Sequence, residues 1–461
     1  MRNFLNIVLI NVLIVIQLQA QDSLRMKLLF FGDIMQHDSQ IQGAYDAKRG
    51  VYDYTSCFEP LRELFSTADL VIGNLELTLA GPPYKGYPQF SAPDALAVAL
   101  KDVGVDVLVT ANNHSLDRRK QGLERTIDVL DSLGFYYTGT FKNAEERAQK
   151  YPLIIEQNGF RLALLNYTYG TNGIPVTKPN VVNLIDTAQI ARDLHKARTQ
   201  TPDAIIVFMH WGNEYERAAS KAQKDLAGFC FDKGATMVIG AHPHVLQPAA
   251  FHPDKNQLVA YSLGNFVSGQ RVRYRDGGML LEVDLLKVND SIRKTSIADA
   301  GYHLVWVHRE AAGNRAYKMI PVQCTEQYDD VLTDKSVHEQ LKVFADDSRA
   351  WLGKYNVNIP ELNWPAPVTK VLLESIVEQD TLTNQQYAVQ FFTSSQKLVL
   401  DLLPEHLRPL MFTKLTTEGL TKYFIGKFSS KAEAEQYKQE LIRLTDFKDA
   451  FVLEWKPFVE D

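Results

Sequence analysis

Short apolar runs alternate with segments of helical spacing along the first 322 residues. The runs are KLLFF (27–31), ADLVI (68–72), VDVLVT (105–110), RLALLNYT (161–168), AIIVFM (204–209), TMVIG (236–240) and LVAYSLG (258–264). Each is rich in β-branched and aromatic residues, the pattern of strands buried on both faces. Between them, FEPLRELFST, PDALAVALKDVG, QGLERTIDVLDSLG, DTAQIARDLHKART and KAQKDLAGFCFDKG space their apolar residues for helices. Several close with Gly, the common helix stop. This alternation predicts an α/β domain over residues 24–322.

The pattern then changes twice. Within 323–383, DKSVHEQLKVFADDSRAWLG predicts an amphipathic helix and NIPELNWPAPVTK a proline-broken connector, together a helical linker. Within 384–457, YAVQFF, LTKYFIGKF and AFVLEW predict strands, and SKAEAEQYKQELIRL a helix capped by Ser430. This is a small α+β domain.

The N-terminus adds a compartment. Met1 and Arg2 precede the apolar stretch 4–16, and QLQA ends at Ala20. A basic start, an apolar stretch and a small residue read as a secretory signal over 1–20, with an uncleaved anchor as the alternative. The stretch is short of the ~20 residues of a spanning helix. The expectation is an exported protein of the periplasm or cell envelope that meets the membrane only through this segment. Hydrophobic residues at 45% and charged residues at 23% are ordinary globular composition. They exclude a disordered, collagenous or polytopic membrane protein. A net charge of −6 with no basic block argues against a nucleic-acid partner. Cys57, Cys230 and Cys324 are too few and too scattered for a disulfide framework or a CxxC site, and are expected to be buried apolar residues.

The informative feature is the set of residues just past each strand. KLLFF runs into Gly32-Asp33, ADLVI into Gly73-Asn74-Leu75-Glu76, and VDVLVT into Ala111-Asn112-Asn113-His114. AIIVFM runs into His210-Trp211-Gly212, and TMVIG into Ala241-His242-Pro243-His244. Sites in open α/β sheets are built at that edge. Singly, each residue reads equally well as a turn, cap or structural histidine. Jointly, two carboxylates, Asn-His, His and His-x-His supply oxygen and imidazole ligands for two divalent ions.

This order resembles the calcineurin-like metallophosphoesterase superfamily. The wording GDIM, NLE, ANNHSLD, HWGNEY, GAHPHVLQP and YSLGNF resembles the CapA-type family of bacterial capsule and poly-γ-glutamate synthesis proteins. The resemblance covers about residues 27–270. It implies a sandwich of two β-sheets flanked by helices, with one or two divalent ions (Mn, Zn or Fe) at the strand ends. Asp33 then matches the first-strand carboxylate ligand and Glu76 the bridging carboxylate. Asn113, His210 and His242 match ligands of one ion, His244 a ligand of the other. His114 matches the residue that faces the leaving group. Asp117 is placed either to orient His114 or as an exposed helix-start carboxylate. Two residues depart from the pattern. Met35 stands where the superfamily has a His, and a thioether is a poor partner for hard ions. Glu76 replaces an Asp. His37 either compensates for the missing imidazole, contacts substrate or has no role. Glu214 faces the site or caps, and Asn265 is a pocket-lining candidate. Trp211 and Tyr215 are candidate substrate platforms, with core packing the safer reading for Trp211.

Residues 384–457 resemble SPOR-type peptidoglycan-binding domains, chiefly in Tyr423, Gly426, Phe428, Ser429 and Ser430. That likeness implies a βαββαβ sheet gripping peptidoglycan glycan; a packing module without a ligand is the alternative. The leading expectation is an exported metal-dependent hydrolase-like protein acting on an anionic surface polymer or its precursor. The alternative is a non-catalytic envelope scaffold that binds such a polymer and peptidoglycan.

Overall fold

The computed structural model describes residues 23–288, 294–310, 316–329, 331–365, 386–394, 411–415, 421–428, 431–444 and 450–455. Residues 1–20, expected to be a secretory signal, together with Ser429, Ser430 and most of TSSQKLVLDLLPEHLR, lie outside these. The chain divides into two compact units, Met1–Pro365 and Ala366–Asp461.

The first unit is built on strands β1 (Ser23–Ile34), β2 (Leu70–Leu75), β3 (Val107–Val109), β4 (Tyr136–Thr138), β5 (Leu153–Gln157), β6 (Phe160–Thr168) and β7 (Ala204–His210). Beyond these come β8 (Met237–Ala241), β9 (Ala249–His252), β10 (Gln257–Ala260), β11 (Asn265–Val267), β12 (Gly277–Val288), β13 (Lys294–Arg309) and β14 (Tyr317–Pro321). They form two sheets. One runs β14-β13-β12-β1-β2-β3-β4 with β11 beside β1; the other runs β9-β10-β8-β7-β6-β5. β1 to β4 are parallel to one another, as are β6, β7, β8 and β10.

Alternation along the central strands shows how the layers form. In β1, Met26, Leu28 and Phe30 enter a core shared with Ile206 and Phe208 of β7 and Met237 and Ile239 of β8. Leu29 and Phe31 face the other way, onto Leu96 and Leu100 of the helix Ala95–Val103. In β7, Ile205, Val207 and Met209 face Ile190 and Leu194 of the helix Thr187–Thr199 and Ala227 of the helix Lys221–Asp232. The result is the expected sandwich: two sheets face to face, helices outside. Each fully buried Leu, Ile or Phe contributes roughly 1.5–3 kcal/mol.

The hairpin β12–β13 and strand β14 were not visible as runs in the sequence. They extend the first sheet by successive antiparallel pairings, β12 on β1, β13 on β12 and β14 on β13. The segment expected as a linker is held on the sandwich as far as residue 365. Its helix is Lys335–Tyr355, and Leu341, Phe344, Ala345 and Leu352 join the inter-sheet core. All three cysteines are free and buried, as expected.

The second unit contains a four-stranded antiparallel sheet ordered Met411–Leu415, Thr421–Phe428, Gln386–Ser394, Phe451–Trp455. The helix Lys431–Leu444 packs on it through Ala434 and Leu441. The three strands and the helix expected here are present. Met411–Leu415 was not among the strands read from the residue pattern, although the βαββαβ likeness implied four strands.

Candidate metal centre

The C-terminal ends of the parallel strands of both sheets meet at one place. The first sheet delivers Asp33 on β1, Glu76 one residue past β2, and Asn113 beyond β3. The second delivers His210 as the last residue of β7, with His242 and His244 just past β8. All six side chains are buried.

Local backbone devices aim them. The pairing of β1 shifts register around Asp33 against both β2 and β11, a bulge that re-aims a side chain. Gly32 permits this: a Cβ there would lie 2.0 Å from the carbonyl oxygen of Gly264. On the other sheet, His242 and His244 have φ of 98° and 57°. Non-glycine residues in the left-handed region cost energy and cluster at functional sites.

Asp33 is well satisfied. Its carboxylate accepts from Asn74 Nδ2 at 2.8 Å and from the His242 backbone N–H at 3.2 Å, and lies 3.0 Å from His244 Nδ1. Burial pushes its carboxyl up, but the hydrogen bond and charge of His244, with the Asn74 amide, hold it below the ordinary value. Glu76 is the opposite case. It is fully buried, and neither carboxylate oxygen has a hydrogen-bond partner. His210 Nε2 stands 3.5 Å and His244 Nε2 3.7 Å from its Oε1. Burial, then the charge of Asp33, raises its carboxyl well above the ordinary value. Burial and neighbouring imidazoles push His210 well down and His242 to about 4.

Among the described residues, ligand atoms of Glu76, His242 and His244 lie within 4.8 Å of one another, as do those of Asp33, Glu76 and His210. Both groups share Glu76. Direct contacts pair His244 with Asp33, and His210 Nε2 with Asn113 Oδ1 at 2.9 Å. His242 stands with His244 in one group, whereas the resemblance set it with His210 and Asn113; its ring centroid is 4.7 Å from that of His210. A buried carboxylate without a donor, beside an orphaned His242 Nδ1, is costly unless a cation joins them. The buried His, Glu and Asp clusters are compatible with a divalent metal ion.

The remaining expected residues surround this set. His114 Nδ1 is 2.7 Å from Asp117 Oδ2, and Asp117 is buried rather than exposed at its helix start. With Nδ1 engaged, Nε2 is the nitrogen left to face a ligand. Asn265 Oδ1 lies 3.1 Å from His244 Nδ1. Glu214 is exposed, yet its charge reaches Glu76 and His242. His37 belongs to neither ligand group; its Nδ1 accepts from the Gly269 backbone N–H at 3.1 Å. Met35 points into the outer apolar cluster of the first sheet. Trp211 is buried and donates to the Tyr261 carbonyl at 2.9 Å, so it is core. Tyr215 is exposed, its ring 6.2 Å from that of His244.

Two residues escaped the sequence reading. Asn74 links Asp33, His210 and Asn112. It lies two positions before Glu76, hence on the same strand face, and that spacing would have found it. Tyr169 is exposed, and its ring centroid lies 4.6 Å from that of His242. It comes directly after a buried strand, as the ligands do.

Known proteins similar to this chain include capsule biosynthesis proteins. The capsule biosynthesis protein CapA of Bacillus anthracis is 30% identical over 259 residues, 53% of this chain and 60% of that protein. The PGA biosynthesis protein CapA of Bacillus subtilis is 29% identical over 238 residues, 49% of this chain and 60% of that protein. The chain thus spans about 60% of the length of these relatives. Among solved structures, the NAD nucleotidase of Haemophilus influenzae aligns over 94% of this chain and 95% of its own, at 10% identity and a TM-score of 0.39. Residues 27–270 match the family model described as bacterial capsule synthesis protein PGA_cap, a span that contains every strand end of the metal centre, and the chain belongs to that family.

Proposed function

We propose that this protein is an exported, metal-dependent hydrolase-like protein of the cell envelope. It acts in the synthesis or processing of capsule, poly-γ-glutamate or a related anionic surface polymer. The observation that carries the reading is the Glu76 carboxylate, fully buried and without a hydrogen-bond donor, between His210 and His244. Asp33, Glu76, Asn113, His210, His242 and His244 would hold one or two ions, of manganese, zinc or iron. When bound, such ions supply Lewis-acid activation of water and of a phosphoester or amide centre. The chain supplies the rest. Asp117 fixes the ring of His114, which gives a proton to the leaving group from Nε2. Tyr169 and Tyr215 form exposed aromatic ground beside His242 and His244 for the substrate. The second unit would bind peptidoglycan glycan, a reading supported by the Tyr423-to-Ser430 motif.

A second reading, a non-catalytic scaffold that holds the polymer through bound metal, is favoured by one observation. Met35 is buried in apolar packing and His37 belongs to neither ligand group among the described residues, so the imidazole of the superfamily pattern is missing from the cluster. Metal analysis of the purified protein, then hydrolysis assays on phosphodiester and γ-glutamyl substrates with added Mn²⁺ or Zn²⁺, separates the readings. Metal with turnover that His114→Ala abolishes supports the hydrolase. Metal without turnover of either substrate supports the scaffold, and no metal sinks both.

A further inference from the structure

A cleft of about 340 Å³ opens beyond Asp117, away from the six ligand residues. Its walls include Gln89, Asp117, Arg118, Arg119, Gln121 and Gly122. Asp117 spends one oxygen, Oδ2, on His114 and on the Phe90 backbone N–H. Its other oxygen, Oδ1, is buried and has no partner, in a residue only 3% exposed. Arg118 Nε is likewise buried without a partner. The contrast with Arg125 on the same helix is informative. Arg125 forms an ion pair with Asp94, while neither Arg118 nor Arg119 is ion-paired among the described residues.

The backbone sets these groups in place. The helix Arg119–Ser132 begins here, no side chain caps it, and Arg119 is held at φ 54°. Its first turn therefore presents the positive end of the helix dipole, although the Arg119 N–H is already bonded to the Leu116 carbonyl at 2.7 Å. Gly122 lets Arg118 lie across that turn: a Cβ would stand 2.4 Å from the Arg118 Cβ. Two guanidinium charges and one Asp117 carboxylate leave a net charge of +1. That balance suits one carboxylate and disfavours a phosphate dianion beside an ionised Asp117. The orphaned Asp117 oxygen needs a donor from the ligand.

We propose that this cleft is a binding subsite for a carboxylate carried beside an N–H group, as in an acidic peptide-type chain. Arg118 and Arg119 hold the carboxylate, and Asp117 Oδ1 accepts from the N–H. Because Asp117 also positions His114, the bound group is the one on the leaving side of the reaction; that last assignment rests on the hydrolase reading above.

The test uses the full chain stripped of metal by a chelator, so that a carboxylate has no ion to bind. N-acetylglycine, propionate and inorganic phosphate are titrated by calorimetry or NMR. N-acetylglycine should bind more tightly than propionate or phosphate. Arg118→Gln and Arg119→Gln should each weaken it about tenfold or more. Asp117→Ala should remove the advantage over propionate. Arg119 is exposed, so its variant is expected to keep the wild-type melting temperature, and this is checked in parallel. Unchanged binding in both arginine variants overturns the subsite, and tighter phosphate binding overturns the carboxylate assignment. Metal uptake is measured separately. Arginine-dependent binding in a protein that takes up no metal would retain the subsite and discard the hydrolase reading; the reverse would do the opposite.

Discussion

The two sheet edges that meet at the centre contribute different chemistry by different means. The first sheet brings oxygen donors, Asp33, Glu76 and Asn113, aimed by a β-bulge and a close backbone approach at Gly32. The second brings imidazoles, His210, His242 and His244, the last two held at positive φ around Pro243. An oxygen edge alone suits hard ions such as Mg²⁺ or Ca²⁺; an imidazole edge alone suits Zn²⁺ or Cu²⁺. Joined, they make a mixed set that suits Mn²⁺, Fe²⁺ or Zn²⁺. The sandwich is therefore what creates the site. Neither sheet carries a complete one, and only their packing through the shared core brings the two sets together.

The largest expected effect comes from the residue both ligand groups share. Glu76→Ala should reduce metal affinity by at least about a hundredfold, read as metal stoichiometry after dialysis. Retention of wild-type stoichiometry would show that the oxygen edge is dispensable. Next come single ligands from each edge. Asp33→Asn and His210→Ala should each weaken binding on the order of 10- to 100-fold, but with opposite selectivity. Loss of the carboxylate should cost Mn²⁺ more than Zn²⁺, and loss of the imidazole the reverse. Equal losses for both ions would erase the distinction between the edges.

A smaller effect, of opposite sign, is expected without metal. The carboxyl of Glu76 is raised in the folded protein above its unfolded value. The resulting penalty is absent below the unfolded value and present in full above the folded one, so it weakens the metal-free fold at neutral pH. Glu76→Gln should therefore stabilise the metal-free protein by about 1–3 kcal/mol, several degrees in melting temperature, while removing the gain that metal gives the wild type. A melting temperature at or below wild type would show that the carboxylate is not strained. The smallest effect is at the rim. Tyr169→Phe keeps the ring beside His242 and removes only a hydroxyl, so it should change metal affinity by less than about tenfold, given that one hydrogen bond contributes ~1 kcal/mol.

Most of this centre was legible because it lies at strand ends. An apolar run such as AIIVFM marks a buried strand, and the residues of metal-ligand type within the few positions after it mark the sheet edge. That rule placed Asp33, Glu76, Asn113, His210, His242 and His244 together. It could not supply side-chain direction, so Asp117 stayed ambiguous until its 2.7 Å contact with His114 was seen. Tyr169 was passed over because an aromatic residue is not a ligand type. The strands β12 and β13 were missed because β12 alternates in burial towards its end and β13 carries charged and small residues. Met411–Leu415 was not picked out because MFTKL is short and gives no clear strand pattern of its own. The linker expectation failed to anticipate Leu341 and Phe344 in the sandwich core, because an amphipathic helix does not say which surface it covers.

The most direct test is a crystal structure of the full chain grown with Mn²⁺, with the ion located by anomalous scattering. The account predicts a peak beside Glu76, bonded at ~2.0–2.2 Å to at least one oxygen of the first sheet and at least one imidazole of the second. A peak held by one edge alone, or none near Glu76 while the ion sits elsewhere on the surface, would contradict the claim that the two sheets build the site together.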